Sequence, residues 1–171
     1  MKKNIITLVL ILITLMQTTK AQQTDDLTLE GAKGKLAATL QTPKIEKGKK
    51  VRMVIICHGF GGDKDRPLLR TIADQLQKAG IASIRFDFNG CGKSEGRFQD
   101  MTVLNEIEDA KKVIAYAEKL PYVSGISIVG HSQGGVVASM VAGELKKAIK
   151  SVALCAPAAV LRDDALRGTT Q

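Results

Sequence analysis

The feature that most constrains the fold is a five-residue segment with glycine at both ends and serine at its centre, Gly130-His131-Ser132-Gln133-Gly134. An apolar run precedes it and a helical pattern follows it. A strand that passes directly into a helix makes a sharp turn, and the flanking glycines remove side chains that would collide there. Ser132 is therefore a candidate nucleophile. The alternative is a glycine-rich helix start that binds an anion through its amides.

The rest of the chain reads as strands alternating with helices. The predicted strands are a hairpin from Leu27 to Leu40, then Val51 to Cys57, Ile81 to Asp87, Ile126 to Val129 and Ser151 to Ala156. The predicted helices are Arg66 to Ala79, a second one capped by Thr102, and Ser132 to Lys147. A hairpin followed by strand and helix units predicts an α/β fold with a mostly parallel sheet and helices on both faces.

The first 21 residues are typical of a signal peptide. A charged start, Met1-Lys2-Lys3, precedes an apolar run from Ile5 to Met16, and small residues end at Ala21. A membrane anchor would need about 20 apolar residues. We therefore predict cleavage after Ala21, a folded domain over residues 22–171, export to the periplasm or the medium, and no stable membrane anchor.

Composition narrows the function further. The net charge is +8, but aromatic residues make up only 4% of the chain and tryptophan is absent, so a nucleic-acid partner is disfavoured. Four lysines between Pro43 and Lys50 are interpreted as a solvated turn. Three cysteines and two histidines do not assemble a zinc site of usual spacing. We predict free thiols, no metal and no cofactor.

A second glycine-rich segment, His58-Gly59-Phe60-Gly61-Gly62, follows the apolar strand that ends at Cys57. Acyl transfer creates an oxyanion, which two backbone amides can stabilise. The amides of Phe60 and Gln133 are the predicted donors. His58 precedes this turn and is interpreted as a residue that shapes the loop rather than as a catalytic base.

These segments, with Arg85 to Gly96 and Ala156-Pro157-Ala158-Ala159, resemble α/β-hydrolases, specifically bacterial cinnamoyl (feruloyl) esterases. The resemblance runs from about Leu27 to the last residue. It implies an α/β-hydrolase fold and a serine carboxylic-ester hydrolase that cleaves hydroxycinnamoyl esters through an acyl-enzyme on Ser132. The implied substrate is a small-molecule or plant cell-wall ester.

The sequence departs from that family in one respect. The family's acid and base follow the nucleophile, the histidine last, yet no histidine follows Ser132. We therefore expect an amino-terminal part of the domain, without its last strands, lid, triad acid and triad histidine, and inactive as it stands. Asp164 and Gln171 are candidate substrate contacts by resemblance, or solvated residues near a short helix. A serine aminopeptidase-like or acylglycerol lipase-like hydrolase and a non-catalytic binding module remain alternatives.

Overall fold

A computed structural model of the protein describes residues 21–158. The candidate contacts Asp164 and Gln171, and all but the last residue of the predicted signal peptide, lie outside the described residues. The strands are β1 Gln23–Glu30, β2 Lys35–Thr42, β3 Val51–Cys57, β4 Ala82–Phe86, β5 Val123–His131 and β6 Ile149–Cys155. The helices are α1 Pro67–Lys78, α2 Val103–Glu118 and α3 Gln133–Glu144, with a short 3₁₀ helix at Phe98–Asp100.

One sheet contains all six of these strands, in the order β1-β2-β4-β3-β5-β6. The β1–β2 hairpin and the β2–β4 pair are antiparallel. The remaining pairs, β4 with β3, β3 with β5 and β5 with β6, are parallel. The predicted hairpin and the mostly parallel sheet are therefore confirmed.

The central strand β3 is apolar along almost its whole length because both of its faces are covered. Met53 and Ile55 belong to the larger core cluster, which includes residues of α2 and α3. Val54 and Ile56 belong to a second cluster with Leu69 and other residues of α1. Alternate side chains of a strand point to opposite faces, so the helices cover both faces, as predicted.

Several predicted boundaries differ from the structure. The hairpin runs from Gln23 to Thr42 rather than from Leu27 to Leu40, and β6 runs from Ile149 to Cys155 rather than from Ser151 to Ala156. β5 begins at Val123 rather than at Ile126, because Val123 pairs with Val51 at the start of β3. α3 ends at Glu144 rather than at Lys147. Within residues 21–158, no helix is long and apolar enough to span a membrane.

The parallel strands define two edges of the sheet. Their amino ends, at Val51, Ala82, Val123 and Ile149, lie together, and so do their carboxyl ends, at Cys57, Phe86, His131 and Cys155. Ligand sites in open α/β sheets lie outside the carboxyl ends of the strands. Both glycine-rich segments singled out from the sequence lie at that edge, one beginning in the last two residues of β5 and the other directly after β3.

Candidate active site

Ser132 joins β5 directly to α3 in a strained backbone conformation. Its φ is +52° and its ψ is −122°, a region that non-glycine residues rarely adopt. Three backbone hydrogen bonds hold it there. The Ser132 amide donates to the carbonyl oxygen of Cys155 at 3.0 Å, and the Ser132 carbonyl accepts from the amides of Gly135 (2.9 Å) and Ala158 (3.1 Å). The strain persists because β6 and α3 fix this residue from both sides.

The flanking glycines are required by close packing. A Cβ atom on Gly130 would lie 2.0 Å from the carbonyl oxygen of Gly134. A Cβ atom on Gly134 would lie 2.3 Å from the carbonyl oxygen of His58. No side chain fits at either distance, so α3 can begin this close to β3 and β5 only with glycine at both positions.

The second glycine-rich segment forms a turn beside Ser132. The Gly62 amide donates to the Gly59 carbonyl at 3.0 Å, and Gly61 has a φ of +58°. A Cβ atom on Gly59 would lie 3.0 Å from the Cβ atom of Ser132, which places the turn directly against the candidate nucleophile. The Phe60 amide takes no part in the turn's own hydrogen bond.

Gln133 is the first residue of α3, so its backbone amide has no acceptor within the helix. Its side chain points away from solvent, since the residue is buried and its Nε2 donates to Oε2 of Glu106 at 2.8 Å. The fold thus brings the segments of Phe60 and Gln133 together on either side of Ser132.

His58 lies beneath the turn and is 1% exposed. Its Nε2 accepts a hydrogen bond from the Phe88 amide at 3.1 Å, and its Nδ1 lies 2.7 Å from the Gly59 carbonyl oxygen. A neutral ring with its proton on Nδ1 satisfies both contacts, and burial lowers the pKa of His58. Both ring nitrogens are occupied, so His58 supports the two loops, as the sequence indicated.

Three buried carboxylates that the sequence reasoning did not single out support the site. Asp87 accepts from the amides of Lys64 (2.5 Å) and Lys93 (2.8 Å), which ties together the loops that follow β3 and β4. Asp109 and Glu106, both on α2, are also buried. Their spacing places them beside Ile107 and Ala110 on the apolar face of this helix, a signal that was present in the sequence.

Glu106 and Asp109 have different roles. Asp109 accepts from the amides of Ala32 (2.6 Å) and Asn89 (2.8 Å), and burial raises its pKa. Glu106 accepts only from Gln133 among the hydrogen bonds of the described residues. Burial raises the pKa of Glu106 to about 7; the bond from Gln133 lowers it and the nearby Asp109 raises it further.

A cavity of about 320 Å³ lies near Gln133, but none of Ser132, Phe60 and Gln133 lines it. Met101 lines this cavity and also contacts the Gln133 amide group, with Sδ 4.0 Å from Nε2. The exposed ring of Phe60 packs edge-on against Phe98, with ring centroids 5.4 Å apart. Within residues 21–158, no three His, Cys, Asp or Glu side chains are placed to hold a metal ion.

The cysteines are free, as predicted. Cys57 and Cys155 pair in register with Gly130 and His131 respectively, on opposite sides of β5. Two strand spacings separate them, about 9 to 10 Å, which exceeds the Cα separation of about 7 Å that a disulfide tolerates.

A mostly parallel sheet with helices on both faces and a strained serine between a strand and a helix defines an α/β hydrolase. Residues 48–170 match the family described as serine aminopeptidase, S33. The chain belongs to this family of α/β hydrolases.

Solved structures agree with this fold. Est1E from Butyrivibrio proteoclasticus, solved with bound ferulic acid, has a TM-score of 0.75 and 32% identity, and covers 82% of this chain. The Pyrococcus furiosus esterase Pf2001 has a TM-score of 0.74 and 25% identity over 86% of this chain. The resemblance to feruloyl esterases noted in the sequence is thereby confirmed.

A curated relative is an uncharacterized 31.7 kDa protein in the traX-finO intergenic region of Escherichia coli, 35% identical over 102 residues. That match covers 58% of this chain and 35% of the relative. The chain spans 56% and 57% of the two solved esterases. The chain therefore spans between about a third and three fifths of the length of these three proteins.

Proposed function

We propose that this chain carries the nucleophile and the oxyanion hole of a serine carboxylic-ester hydrolase. The observation that carries the proposal is the strained Ser132, which β6 and α3 hold against the Gly59–Gly62 turn. Strain of this kind costs about 1 to 3 kcal/mol and persists where the surroundings impose it, commonly at functional sites.

In the proposed reaction, Ser132 Oγ attacks the ester carbonyl carbon and its proton passes to a base. The amides of Phe60 and Gln133 donate to the resulting oxyanion, which can lower the barrier by about 3 to 4 kcal/mol per donor. The alcohol leaves with a proton, an acyl-enzyme forms on Ser132, and water then hydrolyses it. No cofactor takes part in these steps.

The proposed reaction needs a general base that takes the proton from Ser132, and neither histidine of the sequence fits this role. His58 and His131 are the two histidines of the sequence and both precede Ser132. Both nitrogens of His58 are occupied, and His131 adjoins the nucleophile on the turn. We expect the 171 residues alone to hydrolyse esters near background, about 10³ to 10⁴ above water at most, as oxyanion stabilisation and binding alone provide.

The proposed substrates are hydroxycinnamoyl esters, including those of plant cell walls. The support is the likeness to Est1E, whose structure contains ferulic acid. The match to the serine aminopeptidase family favours a second candidate, cleavage of amino-terminal residues from peptides. Three substrates distinguish these classes of hydrolase, because each substrate requires a different acyl pocket. They are methyl ferulate, a monoacylglycerol and an aminoacyl anilide.

The test uses the product of the full open reading frame beside the 171 residues alone. We expect the former to hydrolyse methyl ferulate, and Ser132→Ala to abolish this activity while Ser139→Ala, on α3, retains it. Anilide cleavage without ester cleavage would replace the esterase by a peptidase. Cleavage of the monoacylglycerol without the other two substrates would assign a lipase-like hydrolase. If none of the three substrates reacts, the chain is a binding module. Enzymatic rates from the 171 residues alone would show a base that we have not recognised.

We further propose that residues 1–21 are removed and that the protein acts outside the cytoplasm. The charged start and the apolar run from Ile5 to Met16 support this proposal. Amino-terminal sequencing of protein from an expressing bacterium should begin at Gln22. An intact Met1 on exported protein would contradict it.

A further inference from the structure

The fold gathers basic residues at the edge of the sheet opposite the candidate active site. The turn between β2 and β3 contributes exposed Lys44, Lys47, Lys49 and Lys50. Taken alone, such a turn is an ordinary solvated segment. This turn ends at Val51, the first residue of β3. Because β3 is a central strand of the sheet, the turn lies in the middle of the amino edge.

The connection from α3 to β6 reaches the same edge. It carries exposed Lys146 and Lys147, and β6 adds exposed Lys150 in its second position. Lys150 Nζ donates to the backbone carbonyl of Lys147 at 3.0 Å. A Cβ atom on Gly125 would lie 3.3 Å from Cγ of Lys150 and 3.5 Å from Nη1 of Arg52, which places these two cations beside each other.

Two more exposed lysines complete this group. Lys78 ends α1 just before β4, and Lys119 follows α2 just before β5. We call the ten cations of this edge the basic edge. In the described part of the chain, no cation of the basic edge forms an ion pair of 4.0 Å or less with a carboxylate.

Acidic residues offset this charge only in part. Exposed Asp74 lies one turn before Lys78 on α1. Glu46 and Glu118 lie among the lysines, and Asp25 is on the outer strand β1. Glu144 already pairs with Lys111 of α2. By contrast, the loops at the carboxyl edge, residues 58–66 and 87–102, hold five acids and four bases. The positive charge of the chain is thus concentrated on the side away from Ser132.

We propose that the basic edge adsorbs the protein to the headgroups of an anionic phospholipid membrane. Nine of the ten cations are lysines, which act as point charges rather than as bidentate ligands for a shaped site. In the described residues, none of the exposed large apolar side chains lies in the turn over residues 43–50 or in the connection over residues 145–148. The contact is therefore electrostatic and does not insert side chains into the bilayer.

Geometry favours a membrane over an ester-bearing acidic polymer. The seven residues of β3 separate the two edges by about 20 Å, at about 3.3 Å per residue. A polymer segment seated on the basic edge holds its own esters away from Ser132, whereas a protein lying on a membrane by this edge presents Ser132 to the solution. The proposal depends on charge placement and is independent of whether the protein is an esterase.

The test is co-sedimentation with vesicles of 30% phosphatidylglycerol and 70% phosphatidylcholine, with pure phosphatidylcholine as reference. The protein is taken from the envelope of an expressing bacterium, and all variants are prepared alike. We expect binding to the anionic vesicles at 50 mM salt and its loss near 0.5 M, because salt screens surface charge. Each lysine at a membrane surface contributes about a fivefold change in partition coefficient.

The matched variants differ only in where charge is removed. The first replaces four lysines of the basic edge by glutamine, namely Lys47, Lys49, Lys146 and Lys147. The second replaces four exposed cations elsewhere by glutamine, namely Lys33, Arg70, Lys93 and Lys112.

We expect the first variant to lose binding several hundredfold and the second less than tenfold. Equal losses would show an effect of net charge alone and would overturn the proposal. Binding to polygalacturonate without binding to vesicles would assign the edge to an acidic polymer instead. Absence of binding to anionic vesicles at 50 mM salt would also refute the proposal.

Discussion

Replacement of Glu106 by glutamine should stabilise the protein above pH 7 and have almost no effect near pH 4.5. Glu106 is 1% exposed, and burial raises its pKa from about 4.5 to about 7. In the unfolded chain the carboxylate is ionised above pH 4.5, whereas in the folded protein it keeps its proton until about pH 7. Stability therefore falls as pH rises from 4.5 to 7, because the unfolded state loses the proton first.

The size of the effect follows from the same pKa values. Each pH unit between them corresponds to about 1.4 kcal/mol, which gives about 3 kcal/mol in total above pH 7. Glutamine removes this cost because it never ionises, and its side-chain oxygen can still accept the hydrogen bond from Gln133. Glu106→Ala removes the same ionisation cost but leaves the buried Gln133 amide without that acceptor, so it is expected to be about 1 to 3 kcal/mol less stable than Glu106→Gln at every pH.

The measurement is urea unfolding followed by circular dichroism at pH 5, 6, 7 and 8. Burial lowers the pKa of His58 and raises that of Asp109. His58 is present in each protein and its contribution cancels in the difference, whereas the repulsion between Asp109 and Glu106 is part of the Glu106 shift and is removed with the Glu106 charge. The control is Glu108→Gln, two residues along α2, where the side chain is exposed and pairs with Lys111. A Glu106→Gln effect that is constant across pH, or destabilising at pH 8, would refute the reasoning.

Three further outcomes are expected. Gly134→Ala should cost about 3 kcal/mol in urea unfolding, because the new Cβ would lie 2.3 Å from a backbone oxygen; the control Gly143→Ala, with open space on α3, should gain up to about 1 kcal/mol. Equal effects would contradict this packing. Ser132→Gly should raise the free energy of unfolding by about 1 kcal/mol relative to Ser132→Ala, since glycine adopts a positive φ without strain; a less stable glycine variant would show that the turn is not strained. In native protein, buried Cys57 should resist a thiol reagent that modifies half-buried Cys155, and a disulfide between them in a non-reducing digest would contradict the strand order.

The strands, helices and serine turn could be predicted because local sequence determines them. The apolar run Val51 to Cys57 matches β3 residue for residue. Thr102 caps α2 as predicted, accepting from the Asn105 amide at 3.1 Å. Glycine spacing around Ser132 identified the turn because only glycine fits so close to β3 and β5.

The buried carboxylates beneath the site were harder to predict from the local sequence than the strands and helices. Glu106 is one of several carboxylates on α2, and its burial depends on how α2 packs against α3. The basic edge also could not be predicted from the local sequence. Lys47, Lys119 and Lys147 are far apart in the chain, and only the order of the strands places them on one side of the molecule.

The central claim is that Ser132 is the nucleophile of a serine hydrolase. The most direct test is labelling with a fluorophosphonate probe, followed by mass spectrometry of the digested protein, on the product of the full open reading frame. We expect the probe on the peptide that contains Ser132, its loss in Ser132→Ala and its retention in Ser139→Ala. A protein that folds cooperatively but takes no probe, or that takes it at another residue, would contradict the claim.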